Sequence, residues 1–113
     1  MFLPAQLWKY ENTKLKNKNG AWIYGAKTWT LPQEGVVGPI EDTASGEVLT
    51  IKKDGNEVIL EVKEQPITEE QGWLRGTTIM NGHFTLKNQA SGNFLTGVTS
   101  DSAIHAGNNI PNT

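Results

Sequence analysis

The 113-residue sequence contains no cysteine, which excludes a disulfide framework, a cysteine zinc site, an iron–sulfur centre and a thiol nucleophile. It also lacks an excess of either charge, because 10 Lys and Arg residues against 12 Asp and Glu residues leave a net charge of -2. Neither a polybasic nucleic-acid surface nor an acidic disordered tail fits that balance. We therefore expect one domain with an ordinary hydrophobic core, with no cofactor and without nucleic acid as a partner.

Long apolar runs and helical periodicity are missing too. No apolar run approaches the length of a membrane span, and the first eight residues lack the basic and apolar regions of a signal peptide. We expect no membrane insertion and a soluble, cytoplasmic protein, with secretion left open if residues have been trimmed. A single helical turn at Thr68–Gln71 is the one helix-like pattern, a capping box without a helical stripe behind it.

Turn-forming residues are abundant, with 12 glycines and 5 prolines. They separate short segments that read as strands, of which residues 57–63 alternate most clearly, with Val58, Leu60 and Val62 on one face. Further strands are predicted at 14–16, 47–51 and 83–87, and Gly follows Asn, Asp or Ser between them at hairpin intervals. The sequence therefore predicts an all-β fold with almost no helix.

Three segments repeat one template. Each has an apolar residue, an Asn or Asp two positions later, a Gly, and a second apolar residue three positions after that Gly. The segments run from Leu15 to Ile23, from Ile40 to Leu49 and from Leu86 to Leu95, and each is preceded by a tryptophan, namely Trp8, Trp29 and Trp73. A hairpin cannot bury its apolar face alone, whereas three can close a barrel around a shared core. We expect the tryptophans in that core, unless the segments are unrelated hairpins with similar turns.

The tryptophans also carry a family resemblance. Gln6-Leu7-Trp8 and Gln71-Gly72-Trp73 resemble the Q-x-W signature of ricin B chain-type (R-type) lectins, and Lys27-Thr28-Trp29 looks like a degenerate third copy. The resemblance covers roughly residues 5 to 107. It implies a single β-trefoil domain over 1–113 with three pseudo-repeats, here called the first, second and third units, at about 9–29, 30–73 and 74–113, closed by residues 1–8.

The first unit is short, because Trp29 follows Ile23 by only six positions. That spacing leaves no room for a strand like the one predicted at 57–63 in the second unit. The third unit ends without a Q-x-W of its own, so we expect the amino-terminal strand Ala5–Tyr10 to close it. The alternative is that the chain is a piece of a longer lectin domain.

The resemblance implies a carbohydrate or glycoconjugate as ligand, bound in a shallow pocket of each repeat. The family's galactose site has an Asp directly after the second apolar residue of the hairpin and an aromatic ring one strand later. Here Tyr24, Thr50 and Thr96 occupy the Asp position. The aromatic position is missing in the first unit and falls near Glu61 and His105 in the other two. The usual galactose site is therefore incomplete in all three units.

The sequence still allows a modified sugar-binding pocket in two units. The candidate ligand-binding residues are Thr96, Asp101, His105, Asn108 and Asn109 in the third unit, and Thr50, Asp54, Asn56 and Glu61 in the second. Hydroxyl, carboxylate, imidazole and amide groups of this kind can hold sugar hydroxyls. Ordinary polar loops would contain the same residues. Trp22, which alternation turns away from the core, could stack on a sugar, anchor a protein partner or cover the gap in the short first unit.

Catalytic patterns are weak. The two histidines, His83 and His105, lie 22 positions apart, and no serine elbow, phosphate loop or metal spacing accompanies them. We therefore expect a non-enzymatic carbohydrate-binding module with no catalytic or metal-binding residues. A protein-interaction or inhibitor module of the same fold is the alternative, and a homodimer formed over the short first unit is a third hypothesis.

Overall fold

The structure of the chain is a computed structural model that describes residues 2–52, 57–97 and 104–107, with the backbone alone for Met80 and for 104–107. Across these ranges the regular structure consists of short strands and three single-turn 3-10 helices, with no α-helix. The all-β prediction is therefore confirmed. None of the helices in the described part of the chain is long and apolar enough to cross a membrane.

The strands follow closely on one another along the chain. They are β1 (Trp8–Glu11), β2 (Lys14–Asn17), β3 (Trp29–Thr30), β4 (Val37–Gly38), β5 (Glu41–Asp42), β6 (Val48–Ile51), β7 (Glu57–Glu61), β8 (Trp73–Arg75), β9 (Leu86–Asn88), β10 (Phe94–Gly97) and β11 (Ile104–Gly107). The 3-10 helices are Pro4–Gln6, Glu69–Gln71 and Met80–Gly82.

The strands form two antiparallel sheets. β1 pairs with β2, and the other nine strands follow the order β3-β5-β6-β7-β11-β10-β9-β8-β4. In the β6–β7 hairpin, Val48 pairs with Glu61 and Ile51 with Val58. β7 ends at Glu61, two residues before the predicted end, and Val62 is 71% exposed. The prediction that Val62 lies on the same strand face as Val58 and Leu60 is therefore wrong, because the chain leaves the sheet before reaching Val62.

The three phased tryptophans lie at the centre of the molecule. Trp8, Trp29 and Trp73 are fully buried and belong to one apolar cluster. The cluster also contains the apolar residues of the three hairpins, namely Leu15, Ile23, Ile40, Leu49, Leu86 and Leu95. The predicted core positions of these tryptophans are therefore confirmed. Large rings of this kind dominate the apolar area that a small domain buries.

Each of these tryptophans donates a hydrogen bond to the same position of a hairpin. Its indole Nε1–H bonds to the backbone carbonyl of the second apolar residue: Trp29 to Ile23 at 3.2 Å, Trp73 to Leu49 at 3.0 Å and Trp8 to Leu95 at 3.0 Å. In the first two cases the tryptophan follows its hairpin in sequence. In the third it comes from the other end of the chain, 87 residues away. Each of the three hairpins thus accepts one tryptophan indole, and Trp8 supplies the indole for the third hairpin.

The amino-terminal segment differs in detail from the predicted strand Ala5–Tyr10. Residues Pro4–Gln6 form a 3-10 turn, and the strand begins at Trp8. Pro4 favours a helical turn because its φ is preset and it has no N–H to leave unpaired at the first position. The backbone of Trp8 then exchanges hydrogen bonds of 2.8 and 2.9 Å with Phe84. The segment therefore contacts the third unit through a turn and one bridge.

The two Q-x-W sites have the same local structure. Glu69–Gln71 forms a 3-10 turn before Trp73, as Pro4–Gln6 does before Trp8, and both glutamines are buried. The helical turn predicted at Thr68–Gln71 is therefore present. In each copy the turn ends at the glutamine and the strand begins at the tryptophan.

The hairpin turns are held by the Asn or Asp of the template. A side-chain oxygen accepts the N–H of Ala21 at Asn17 (2.9 Å), of Ala44 at Asp42 (3.2 Å) and of Ala90 at Asn88 (3.0 Å). The glycine that follows has a φ of +89°, +79° and +74° in the three turns, a region that glycine tolerates best. The predicted role of both residue types is confirmed. Between Ile23 and Trp29 the chain makes a turn and no strand.

Candidate ligand-binding clefts

The second unit has a shallow cleft of about 420 Å³ between the β6–β7 hairpin and the 3-10 turn before Trp73. Two of the predicted ligand-binding residues, Thr50 and Glu61, line it together. The full lining is Thr50, Ile51, Lys52, Glu61, Glu64, Thr68, Glu70 and Gln71. Cross-strand pairing of β6 with β7 brings Thr50 and Glu61 to the same region although they are 11 positions apart. We call this the second-unit cleft.

Hydrogen bonds of the buried Gln71 side chain hold the walls of the second-unit cleft. Its Nε2 donates to the carbonyl of Val62 at 2.9 Å and to Oγ1 of Thr50 at 3.4 Å, and its Oε1 accepts the N–H of Glu64 at 3.1 Å. The Thr50 hydroxyl donates in turn to the carbonyl of Val48 at 3.1 Å. These groups are occupied by internal bonds and position the wall, since a buried polar group left unpaired would be costly.

Most of the exposed groups of the second-unit cleft are charged, and the hydroxyl residue Thr68 is the exposed neutral one. Glu61, Glu64 and Lys52 are exposed, and Glu70 is half-buried. A carboxylate offers acceptor sites on two oxygens, and an ammonium offers three donors. No aromatic ring is among the described residues that line this cleft. A ligand here would be held by hydrogen bonds to charged groups.

A second cleft, of about 500 Å³, lies at the short first unit. It is lined by Tyr24, Ala26, Lys27, Thr28, Asp42 and Ala44, and we call it the first-unit cleft. Tyr24 directly follows Ile23, just as Thr50 directly follows Leu49, so the two clefts open beside equivalent positions of two units. The Tyr24 ring is half-buried and lies 6.3 Å from the ring of Trp29.

The carboxylate of Asp42 forms the floor of the first-unit cleft. It accepts hydrogen bonds from Nζ of Lys27 at 3.0 Å, from Oγ of Ser45 at 2.8 Å and from the N–H of Ala44 at 3.2 Å. Burial alone would raise the pKa of Asp42, but these hydrogen bonds and the nearby Lys27 charge hold that pKa below its ordinary value of 3.8. The Asp42 carboxylate is therefore an internally bonded anion, and Lys27 and Tyr24 are half-buried residues that line the same cleft.

Sequence reasoning overlooked Lys27 and Asp42 as a pair. In the other two units this template position is Asn17 or Asn88, whose Nδ2 donates to Gly97 at 2.7 Å and to Glu70 at 3.0 Å. The Asp42 side chain has no N–H to donate, and its carboxylate instead accepts a hydrogen bond from the Lys27 ammonium. The change from Asn to Asp at one copy of the template was the signal that a cation lies nearby.

Of the third-unit prediction the structure describes Thr96 and the backbone of His105. Thr96 is half-buried, its hydroxyl donates to the carbonyl of Phe94 at 2.9 Å, and its backbone is paired with His105. Thr96 does not line either of the two clefts. The other predicted residues, Asp54, Asn56, Asp101, Asn108 and Asn109, lie outside the described residues, as does the side chain of His105.

Trp22 is half-buried rather than fully turned out to solvent. It forms a backbone bridge with Lys16, whose Nζ lies 5.1 Å from the centre of the indole ring. A cation over an indole face is a favourable contact. The indole ring thus has a cation packed against it inside the molecule, and its role as a platform for a sugar stays a prediction.

Within the described ranges, no group of three or more His, Asp or Glu side chains is arranged to hold a metal ion. A scan against protein-family models finds no match for the chain, and searches of curated proteins and of solved structures find none either.

Proposed function

We propose that this chain is a β-trefoil domain and a non-enzymatic carbohydrate-binding module. The three indole-to-carbonyl bonds support the fold. Equivalent contacts at Ile23, Leu49 and Leu95 are what a pseudo-threefold axis produces. The 3-10 turns that precede Trp8 and Trp73 add a second equivalence.

One observation carries the binding proposal. Tyr24 and Thr50 hold equivalent positions, each directly after a residue whose carbonyl accepts a tryptophan indole, and each lines an open cleft. Repetition of a cleft at a repeated position is typical of a binding fold that presents one site per unit. Open clefts lined by a few charged groups fit a hydroxyl-rich ligand better than an apolar one.

The two clefts would hold a saccharide differently. In the second-unit cleft, Glu61 and Glu64 accept hydrogen bonds from sugar hydroxyls and Lys52 donates one. In the first-unit cleft, the Tyr24 ring packs against the C–H face of the sugar and Lys27 donates to an oxygen. Each such bond replaces one to water, so its net contribution is about 1 kcal/mol and affinity per site is weak, on the order of millimolar.

A saccharide titration with charge variants tests the second-unit cleft. A glycan array first selects ligands, and calorimetry then compares Glu61→Gln and Glu64→Gln with the parent protein. Loss of a charge-assisted bond should weaken binding about five- to tenfold. Glu57→Gln is the matched control, because Glu57 is an exposed residue of the same strand that does not line the cleft. Absence of binding to every saccharide at millimolar concentration would refute the proposal.

Ring variants test the first-unit cleft separately. Tyr24→Leu removes the flat face and should abolish the binding that survives in Glu61→Gln, whereas Tyr24→Phe keeps the face and should retain it. Equal losses in both variants would show that the phenol hydroxyl, and not the ring, makes the contact. No loss in either would remove the first-unit cleft from the proposal.

Protein recognition is the second candidate function, and an exposed apolar edge favours it. Val36 and Val37 are 46% and 44% exposed, and Val37 lies on β4, one of the two outer strands of the nine-stranded sheet. Exposed edges with apolar side chains are common sites of association. Sedimentation over a concentration series tests a second copy as the partner. Self-association that Val37→Lys abolishes would support this function, and a monomer at every concentration would oppose it.

A further inference from the structure

A row of cationic side chains crosses the face of the β1–β2 sheet. Lys9 of β1 lies directly opposite Lys16 of β2. On the other side of β1, the antiparallel bridge between Trp8 and Phe84 sets Lys9 beside His83. Lys9, Lys16 and His83, together with Lys18, line a cleft of about 370 Å³.

This arrangement places more positive than negative charge in one cleft. Like charges directly opposite each other on antiparallel strands are destabilising, and the register of β1 with β2 imposes such a pair. In the described structure, the ion pair in this cleft joins Nζ of Lys9 to Glu11 at 3.6 Å, and both side chains are well exposed. The chain as a whole has a net charge of -2. This cleft has three lysines and one glutamate, so its local charge is positive whereas the net charge of the chain is negative.

The Lys16 ammonium and the backbone of Lys18 are also held in place. Nζ of Lys16 lies over the Trp22 ring at 5.1 Å, and the backbone N–H of Lys18 donates to the carbonyl of Leu7 at 3.0 Å. The turn after β2 is tied to Asn17, whose carbonyl accepts the N–H of Gly20 at 2.9 Å. Groups that are already positioned lose less conformational entropy when a ligand binds.

We propose that this cleft, independently of the saccharide clefts, binds a small ligand that carries more than one phosphate or sulfate group. A tetrahedral oxyanion accepts strong charge-assisted hydrogen bonds from ammonium groups. Side chains directly opposite on antiparallel strands start about 5 Å apart at Cβ, so one oxyanion bridges Lys9 and Lys16 and relieves their repulsion. A second oxyanion group then reaches Lys18 across the same cleft.

Calorimetric titration at low salt tests the proposal with two probes, pyrophosphate and a doubly sulfated disaccharide. We expect at least one to bind, and Lys16→Gln and Lys18→Gln each to weaken it about five- to tenfold. Lys87→Gln removes the same charge from an exposed lysine of β9 outside the cleft and should change affinity by less than about twofold. Because Lys18 is exposed, Lys18→Gln should keep the parent melting temperature without ligand.

The two probes separate the sources of the anion. Binding of pyrophosphate alone assigns a phosphorylated ligand, and binding of the disaccharide alone assigns a sulfated saccharide. The proposal is overturned if neither probe binds at millimolar concentration, or if Lys87→Gln weakens binding as much as Lys16→Gln. It is also overturned if a single-stranded oligonucleotide displaces pyrophosphate with higher affinity and the same lysine dependence, since the surface would then be a nucleic-acid site.

Discussion

Replacement of Trp8 by phenylalanine perturbs the side-chain contact between strand β1 and strand β10. Trp8 is fully buried, and its indole donates to the carbonyl of Leu95 at 3.0 Å. The Trp8→Phe variant keeps an aromatic ring and removes that donor. It therefore leaves the Leu95 carbonyl without its indole partner and leaves space at the far end of the side chain, where the six-membered ring of the indole lay.

The expected cost follows from these two losses. A buried acceptor deprived of its donor costs about 1–3 kcal/mol. The atoms removed from the core cost about 1–2 kcal/mol more, at roughly 0.8 kcal/mol for each methylene equivalent. A total of about 3 kcal/mol is a large part of the roughly 5–15 kcal/mol that stabilises a domain. It lowers the melting temperature by roughly 10 to 20 °C at this chain length.

Urea unfolding followed by far-ultraviolet circular dichroism measures the effect without depending on indole fluorescence. Trp29→Phe and Trp73→Phe should cost the same as Trp8→Phe within about 1 kcal/mol, because their indoles make equivalent bonds to Ile23 and Leu49. Trp22→Phe is the control, since Trp22 is only half-buried. If Trp8→Phe costs as little as Trp22→Phe while the other two cost about 3 kcal/mol, the equivalence is refuted.

The remaining predictions concern the turns and the packing around Trp8. Asn17→Asp turns a carboxylate towards the carbonyl of Gly97, 2.7 Å from the present Nδ2, and should destabilise by about 2 kcal/mol or more in urea unfolding. Asp42→Asn, which loses a half-exposed Lys27 partner, should cost only about 1 kcal/mol. The folded-state pKa of Asp42 lies below 3.8, so the stability that its ionised carboxylate contributes is complete above pH 3.8 and is lost as pH falls through the lowered pKa. Acid titration should therefore show a shallower loss of folding stability in Asp42→Asn. Gly97→Ala places a Cβ 2.8 Å from the Trp8 ring and should cost about 1–3 kcal/mol, so an unchanged melting temperature would contradict this close approach.

Much of the fold could be predicted because its strongest determinants are local. The turn at Asp42 needs an acceptor side chain and a glycine four positions later, and both are visible in sequence. Burial of Trp73 follows from its size and its phase with the hairpins. Positions that depend on where a strand ends were harder to predict from the sequence. Val62 continues the alternation of β7, yet the chain has already left the sheet there.

The clefts were predicted only in part, because a cleft is made by residues distant in sequence. Thr50 and Glu61 could be placed together from the expected hairpin. The contact of Lys27 with Asp42 depends on the tight turn of the short first unit, and spacing alone does not reveal it. The cationic row arises from the register of Lys9 with Lys16, which differs by one residue from an arrangement that would turn one of them away.

The central claim, saccharide binding at repeated positions, is tested most directly by a ¹H–¹⁵N nuclear magnetic resonance titration with the saccharide that an array selects. We predict that amide signals of Tyr24 and Lys27 in the first-unit cleft, and of Thr50 and Glu64 in the second-unit cleft, shift in a saturable way. Signals at Glu57, outside both clefts, should stay unchanged. Saturable shifts confined to other surfaces, or none with any saccharide at millimolar concentration, would contradict the claim.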